Sequence, residues 1–141
     1  MSNDSLQPGG VALRDPFYGA PFVEAVRRFW RKYTVFSGRA SRAEFWWWWI
    51  TSFAVGLALQ LVPQAFTPDA PLLESPVGSY LFVLWGLATL IGSLALGARR
   101  LHDVNLSGFW QFLHVVPGIG SLVVYVLCLL PPNPKGTRFD R

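Results

Sequence analysis

Residues 79–98 form a run of 20 positions without a charged side chain. As an α-helix, such a run rises about 30 Å, which matches the hydrocarbon thickness of a bilayer. A run of this kind needs either lipid or a large protein core around it, and 141 residues make one domain, not several. Hydrophobic residues are 52% of the chain and charged residues 14%, whereas soluble domains carry about 25% charged residues. The expected fold is therefore an all-α membrane protein with three hydrophobic helical segments, preceded by an amphipathic interfacial helix.

The first hydrophobic segment is expected over about residues 45–62, 18 uncharged positions that rise about 27 Å as a helix. Ser41 and Glu44 sit three apart in front of it, the spacing of a capping box, so the helix should begin near position 42. Trp46, Trp47, Trp48 and Trp49 point in four directions around that helix, and some of these indoles should meet lipid headgroups. Pro63 and Pro68 end the segment, and residues 67–78 read as a turn-rich outer loop. In the second span, Thr89, Ser93 and Gly97 recur every four residues and form a small face for helix packing, with Ala54 and Ala58 as its expected counterpart on the first.

Ahead of these spans, residues 1–16 have the composition of a disordered tail, and no cleavable signal peptide is expected. Residues 17–141 are expected to form one membrane domain. Over about residues 21–34, Phe22, Val23, Val26, Phe29, Trp30 and Tyr33 recur at helical spacing, with Arg27, Arg28, Arg31 and Lys32 opposite. That pattern predicts an interfacial helix whose basic face meets anionic lipid headgroups.

The third segment, about residues 109–130, is interrupted by Val116-Pro117-Gly118-Ile119-Gly120, a break at mid-depth. It either crosses once with a kink or enters and returns as a re-entrant hairpin. Seven Lys or Arg residues precede the first span, two lie at 99–108, and Lys135, Arg138 and Arg141 lie in the tail. A hairpin leaves no positive charge outside, which satisfies the positive-inside rule. Its arms, however, would reach only about 12–16 Å as α-helix, and a kinked single crossing is the expectation. Either way the N-terminus is expected on the cytoplasmic side.

The candidate site is the set of charged residues at the cytoplasmic ends of the spans: Arg39, Arg42, Glu44, Arg99, Arg100, His102 and Asp103. Antiparallel spans would bring these together, with Glu44 and Asp103 each paired to an arginine because an unpaired charge at that depth is costly. They form either a structural ion-pair network or a binding rim for anionic headgroups or a partner, since guanidinium groups take phosphate bidentately. His102 beside Asp103 invites acid–base chemistry, but no catalytic motif accompanies the pair. His114 reads as hydrogen-bonded to a neighbouring helix and Cys128 as a small core or lipid-facing residue. No catalytic residue, metal site, cofactor or nucleic-acid partner is expected.

The motifs Phe36-Ser37-Gly38-Arg39-Ala40-Ser41-Arg42-Ala43-Glu44-Phe45-Trp46, Ala98-Arg99-Arg100-Leu101-His102-Asp103, Ser107-Gly108-Phe109-Trp110 and Pro117-Gly118-Ile119-Gly120 occur in the order seen in a known family. Over about residues 25–140 the chain resembles the YhaH-like small bacterial inner-membrane proteins, domain of unknown function 805. The resemblance implies a bacterial inner (plasma) membrane location and a fold of a few helices, and it implies no activity. The tail from Gly136 to Asp140 departs from the family's Gly-x-Asn-x-Tyr-Gly-like ending. The functional expectation is a non-enzymatic protein that binds anionic lipid or a membrane-protein partner, with a homo-oligomer as a further possibility. The alternatives are an oligomeric transporter or channel component and a membrane enzyme using His102 and Asp103.

Overall fold

In the computed structural model, which describes residues 10–66, 68–69, 71 and 75–140, Ser41 starts the first long helix as its spacing to Glu44 requires. The Glu44 amide donates to Ser41 Oγ at 3.1 Å, and the Ser41 amide donates to Glu44 Oε2 at 2.8 Å. In chain order the helices are α1 (Phe22–Arg31), α2 (Arg42–Gln64), α3 (Pro76–Asp103), a 3-10 helix (Gly108–Val115), α4 (Ile119–Leu129) and a final 3-10 helix (Pro134–Phe139). Both α2 and α3 are long and apolar enough to cross a membrane, and α4 is a shorter apolar helix. The expected outer loop lies partly outside the described residues, as do residues 1–9 of the expected tail.

Two indole N–H groups tie α2 to α3. Trp48 donates to Ser93 Oγ at 3.2 Å and Trp85 donates to Ser52 Oγ at 3.1 Å. The tight approach on α2 falls at Gly56, where a Cβ would stand 3.0 Å from the Phe82 ring. Ala54 and Ala58 are exposed, which corrects their expected packing role. They lie two positions from Ser52 and Gly56, about 200° around the helix. Gly97 also faces elsewhere, against the Gln111 side chain.

α1 lies against α2 and α3 with Val26, Phe29 and Tyr33 of its expected apolar face on the core and Arg27 and Arg31 exposed, but the rest of the expected pattern is changed. Glu24, Arg28 and Lys32, spaced i, i+4 and i+8, are buried, whereas Phe22, Val23 and Trp30 are exposed. The inward Arg28 guanidinium is tolerated because carboxylates and main-chain carbonyls surround it, as described below. Phe29 joins them inside, stacked on Trp48 with ring centroids 3.3 Å apart. Trp48 also meets Trp30 and Trp85, so one of the four tandem indoles is core while Trp47 is exposed.

The third hydrophobic segment is a hairpin, not the expected kinked crossing. Gly118 takes φ +78°, a conformation open to glycine, and reverses the chain. Gly120 then sits so close to the Leu113 carbonyl that a Cβ would fall 1.8 Å from its oxygen. The 3-10 arm and α4 pack against each other. Both ends of the hairpin return to the end of α3: Leu106 donates to the Leu101 carbonyl at 2.9 Å, and Asn133 donates to the Asp103 carbonyl at 2.7 Å. The first arm is 3-10, with a rise of about 2.0 Å per residue, and so reaches deeper than an α-helix of equal length.

Because nothing larger than hydrogen fits at Gly120, Gly120→Ala should force the arms apart. Overpacking of this kind costs about 1–3 kcal/mol. A lower midpoint in thermal unfolding of the detergent-solubilised protein checks it, with Gly86→Ala, which meets open space, as the neutral comparison.

Candidate functional site

The last turn of α3 carries three ionisable side chains with almost no solvent contact: Arg99, Arg100 and Asp103. Helical spacing places Arg100 beside Asp103, and Arg100 Nη1 lies 2.5 Å from Asp103 Oδ2. The other two faces of the Arg100 fork close the hairpin, since Nε donates to the Cys128 carbonyl at 2.9 Å and Nη2 to the Leu130 carbonyl. Asp103 Oδ1 accepts from the Tyr18 hydroxyl at 2.6 Å and lies 3.7 Å from Arg39 Nη1. One carboxylate thereby joins α3, the hairpin exit, the loop before α2 and the segment before α1. Burial, followed by the bond to Asp103, pushes the Tyr18 phenol up to about 12, which keeps it a donor at any physiological pH.

Arg39 reaches outward to the tail. Its Nε and Nη2 donate to the two carboxylate oxygens of Asp140 at 2.9 and 2.8 Å, a bidentate geometry, and this bond holds the guanidinium charged. Backbone bonds fix the loop that carries it. The Gly38 amide donates to the Phe139 carbonyl at 2.8 Å, and the Ala40 amide to the Arg99 carbonyl at 3.0 Å. The two charged motifs therefore meet at one end of the α2–α3 pair, as the sequence led us to expect.

Glu44 finds its arginine elsewhere. The partner is Arg28 of α1, with Nη1 at 3.4 Å from Oε1, and Arg28 also lies 3.4 Å from Glu24. Arg28 donates to the carbonyls of Val11 (2.7 Å), Ala12 (3.1 Å) and Asp15 (2.9 Å). The Phe17 amide donates to Glu44 Oε2 at 3.2 Å. Residues 11–16 are thus held by a buried guanidinium, which corrects the expected tail over that stretch. Arg28 and Lys32 are turned inward and cannot form a headgroup-facing surface, a second correction. Their signal in the sequence was the i, i+4, i+8 series beginning at Glu24. Asp140 and Tyr18 carried no local signal, being single polar residues in turn-rich stretches.

His102 and Asp103 do not act on each other. His102 Nδ1 donates to the Gly38 carbonyl at 3.0 Å, and its ring stacks on Phe139 at 4.1 Å. The Asp103 oxygens are taken up by Arg100, Tyr18 and Arg39, so the relay geometry that the sequence suggested is not formed. His114 is exposed, and its Nδ1 donates to the Gln111 carbonyl at 2.9 Å within its own 3-10 helix, not to a neighbouring helix as expected. Cys128 is fully buried in the core. Arg42 is exposed on the first turn of α2.

Next to this charged end lies an apolar cavity of about 460 Å³ between α3 and the hairpin. Its walls include Phe36, Leu94, Phe109, Phe112 and Phe139, and His102, Ser107 and Gln111 supply the polar groups. Gln111 is itself fixed, donating to the Leu94 carbonyl at 2.7 Å. Arg138, exposed to solvent, lies over the ring of one wall residue, Phe139, at 4.6 Å. Among the described residues no group of three or more His, Cys, Asp or Glu could hold a metal.

Removing the central carboxylate leaves the buried Arg100 guanidinium without its counter-charge, while Arg39 keeps Asp140. Asp103→Asn should cost about 3–5 kcal/mol, the range for breaking a buried pair. Asp140→Asn, at the solvent-facing end of the same chain of ion pairs, should cost about 1 kcal/mol or less. Chemical denaturation of both variants in one detergent checks the ratio.

Comparison with known proteins fits this architecture. The model of a family described as "Protein of unknown function (DUF805)" matches residues 33–141. "Inner membrane protein YhaI" of Escherichia coli K12 is 38% identical over 109 residues, covering 77% of this chain and 86% of that protein. "Inner membrane protein YhaH" of the same strain is 28% identical over 113 residues, covering 77% and 87%. No solved structure matches. With the match spanning everything from the end of α1 onward, the chain belongs to the DUF805 family of proteins of unknown function.

Proposed function

We propose that this is a non-enzymatic protein of the bacterial inner membrane that binds an anionic phospholipid at its cytoplasmic rim, with an acyl chain in the cavity beside α3. The relatives named as inner membrane proteins support the location. In this reading α2 and α3 cross the bilayer, and the hairpin dips into the leaflet from which it starts. The Lys and Arg among the described residues then lie at one end of the crossing pair, a charge distribution that the positive-inside rule assigns to the cytoplasm.

The observation that carries the lipid reading is an apolar cavity one of whose walls, Phe139, carries the Arg138 guanidinium on its ring. Its volume is that of a ligand site, about 300–1,000 Å³. Of the arginines first considered as headgroup contacts, Arg39 and Arg100 are engaged with carboxylates and Arg99 is enclosed. Arg42 and Arg138 remain exposed and are the contacts this reading uses. Against the catalytic alternative stand the separate partners of His102 and Asp103.

Native mass spectrometry of the full chain in mild detergent tests the reading. The wild type should retain a phospholipid of anionic headgroup, and Leu94→Trp with Arg138→Ala should lose about tenfold or more of it, as a 1.4 kcal/mol loss of binding does. Equal retention by both proteins, or retention of no lipid species by the wild type, contradicts the proposal.

A further inference from the structure

Among the buried charged atoms without a hydrogen-bond partner, Glu24 Oε1 and Arg28 Nε lie 3.4 Å apart as an ion pair, whereas those of Lys32 and Arg99 face no carboxylate within ion-pair distance among the described residues. Lys32 is 3% exposed and Arg99 1% exposed. Arg99 Nε donates to the Ala95 carbonyl at 3.2 Å, but Arg99 Nη2 and Lys32 Nζ meet no acceptor among the described residues. Buried donors are almost always hydrogen-bonded, and a buried ammonium without a counter-charge is costly. The carboxylates at this junction are committed elsewhere: Glu24 and Glu44 both lie against Arg28, and Glu44 also takes the Ser41 and Phe17 amides. Three buried cations, Arg28, Lys32 and Arg99, thus face two buried carboxylates.

We propose that Lys32 and Arg99 form a binding site for one compact inorganic anion, of halide or phosphate class, at the junction of α1 with α3. An anion there accepts from both orphaned donors and brings the buried charge into balance. The burial of both side chains excludes bulky anions and lipid headgroups. The neighbouring charges agree. Burial first, then Arg99 on α3 and Arg28 on α1, lower the Lys32 ammonium to about 8, against the opposing pull of Glu44 on α2 and Asp15 before α1. The site is independent of the lipid cavity, which lies on the hairpin side of α3.

The sign of the pH dependence follows from that lowered value. Below about 8 Lys32 is charged, its burial opposes folding, and an anion that pairs with it is stabilising. Between about 8 and its unfolded value near 10.5 the folded protein releases the proton, and the anion's contribution falls because the charged Lys32 partner is lost.

The test is thermal unfolding of the purified full chain in chloride, phosphate or gluconate at equal ionic strength. At pH 7, chloride or phosphate should raise the midpoint by about 4 °C or more over gluconate, and the rise should shrink by about half or more at pH 9.5. A chloride-only effect identifies a halide site, and a phosphate-only effect an oxyanion site. Lys32→Met should remove the salt specificity while unfolding no lower than the wild type in gluconate. Equal midpoints in all three salts, an effect unchanged at pH 9.5, or a Lys32→Met protein that keeps the salt specificity overturns the proposal. The wild-type pH comparison decides the matter even if the variant does not fold.

Discussion

The carboxylate of Asp103, with no solvent contact, is where the structure is fastened. Helices in lipid gain little from apolar contact with each other, because the surrounding acyl chains are equally apolar. Polar bonds at defined depths have to set the arrangement. Here they come in two layers: the indole-to-serine bonds between α2 and α3, and the ion pairs in the last turn of α3. The second layer recruits everything else, since Arg100 holds the hairpin exit and Asp103 holds Tyr18 and Arg39.

That arrangement explains which parts of the fold the sequence made legible. The two long helices follow from uninterrupted apolar runs, and the Ser41–Glu44 box fixed the start of α2 because its signal is local. The meeting of the two charged motifs follows from antiparallel crossing alone. The hairpin was harder to read. Pro117 and Gly118 mark where the chain bends, but a kink and a reversal use the same residues. What separates them is Gly120, which admits the Leu113 carbonyl, and Arg100, a residue distant in sequence that caps the returning arm.

The orientation of α1 was hidden for a related reason. Residue type alone places Arg28 and Lys32 on the polar, outward face, and only the location of Glu44 and the carbonyls of residues 11–15 makes an inward guanidinium tolerable. The candidate site was legible as a set of residues and misread in its division of labour. Arg39 and Arg100 serve the fold, Arg42 and Arg138 stay at the surface, and Lys32 and Arg99 keep donors that the protein itself does not satisfy.

The central claim is that the chain returns after residue 118 to the level it left at Asp103. Pulsed electron spin resonance between labels at Ser107 and Lys135, in a lipid nanodisc, measures this directly. A hairpin fastened at Asp103 places the labels under about 20 Å apart, whereas a single crossing separates them by the hydrocarbon thickness of about 30 Å or more. A dominant distance in the longer range would contradict the hairpin and, with it, the role assigned to Arg100.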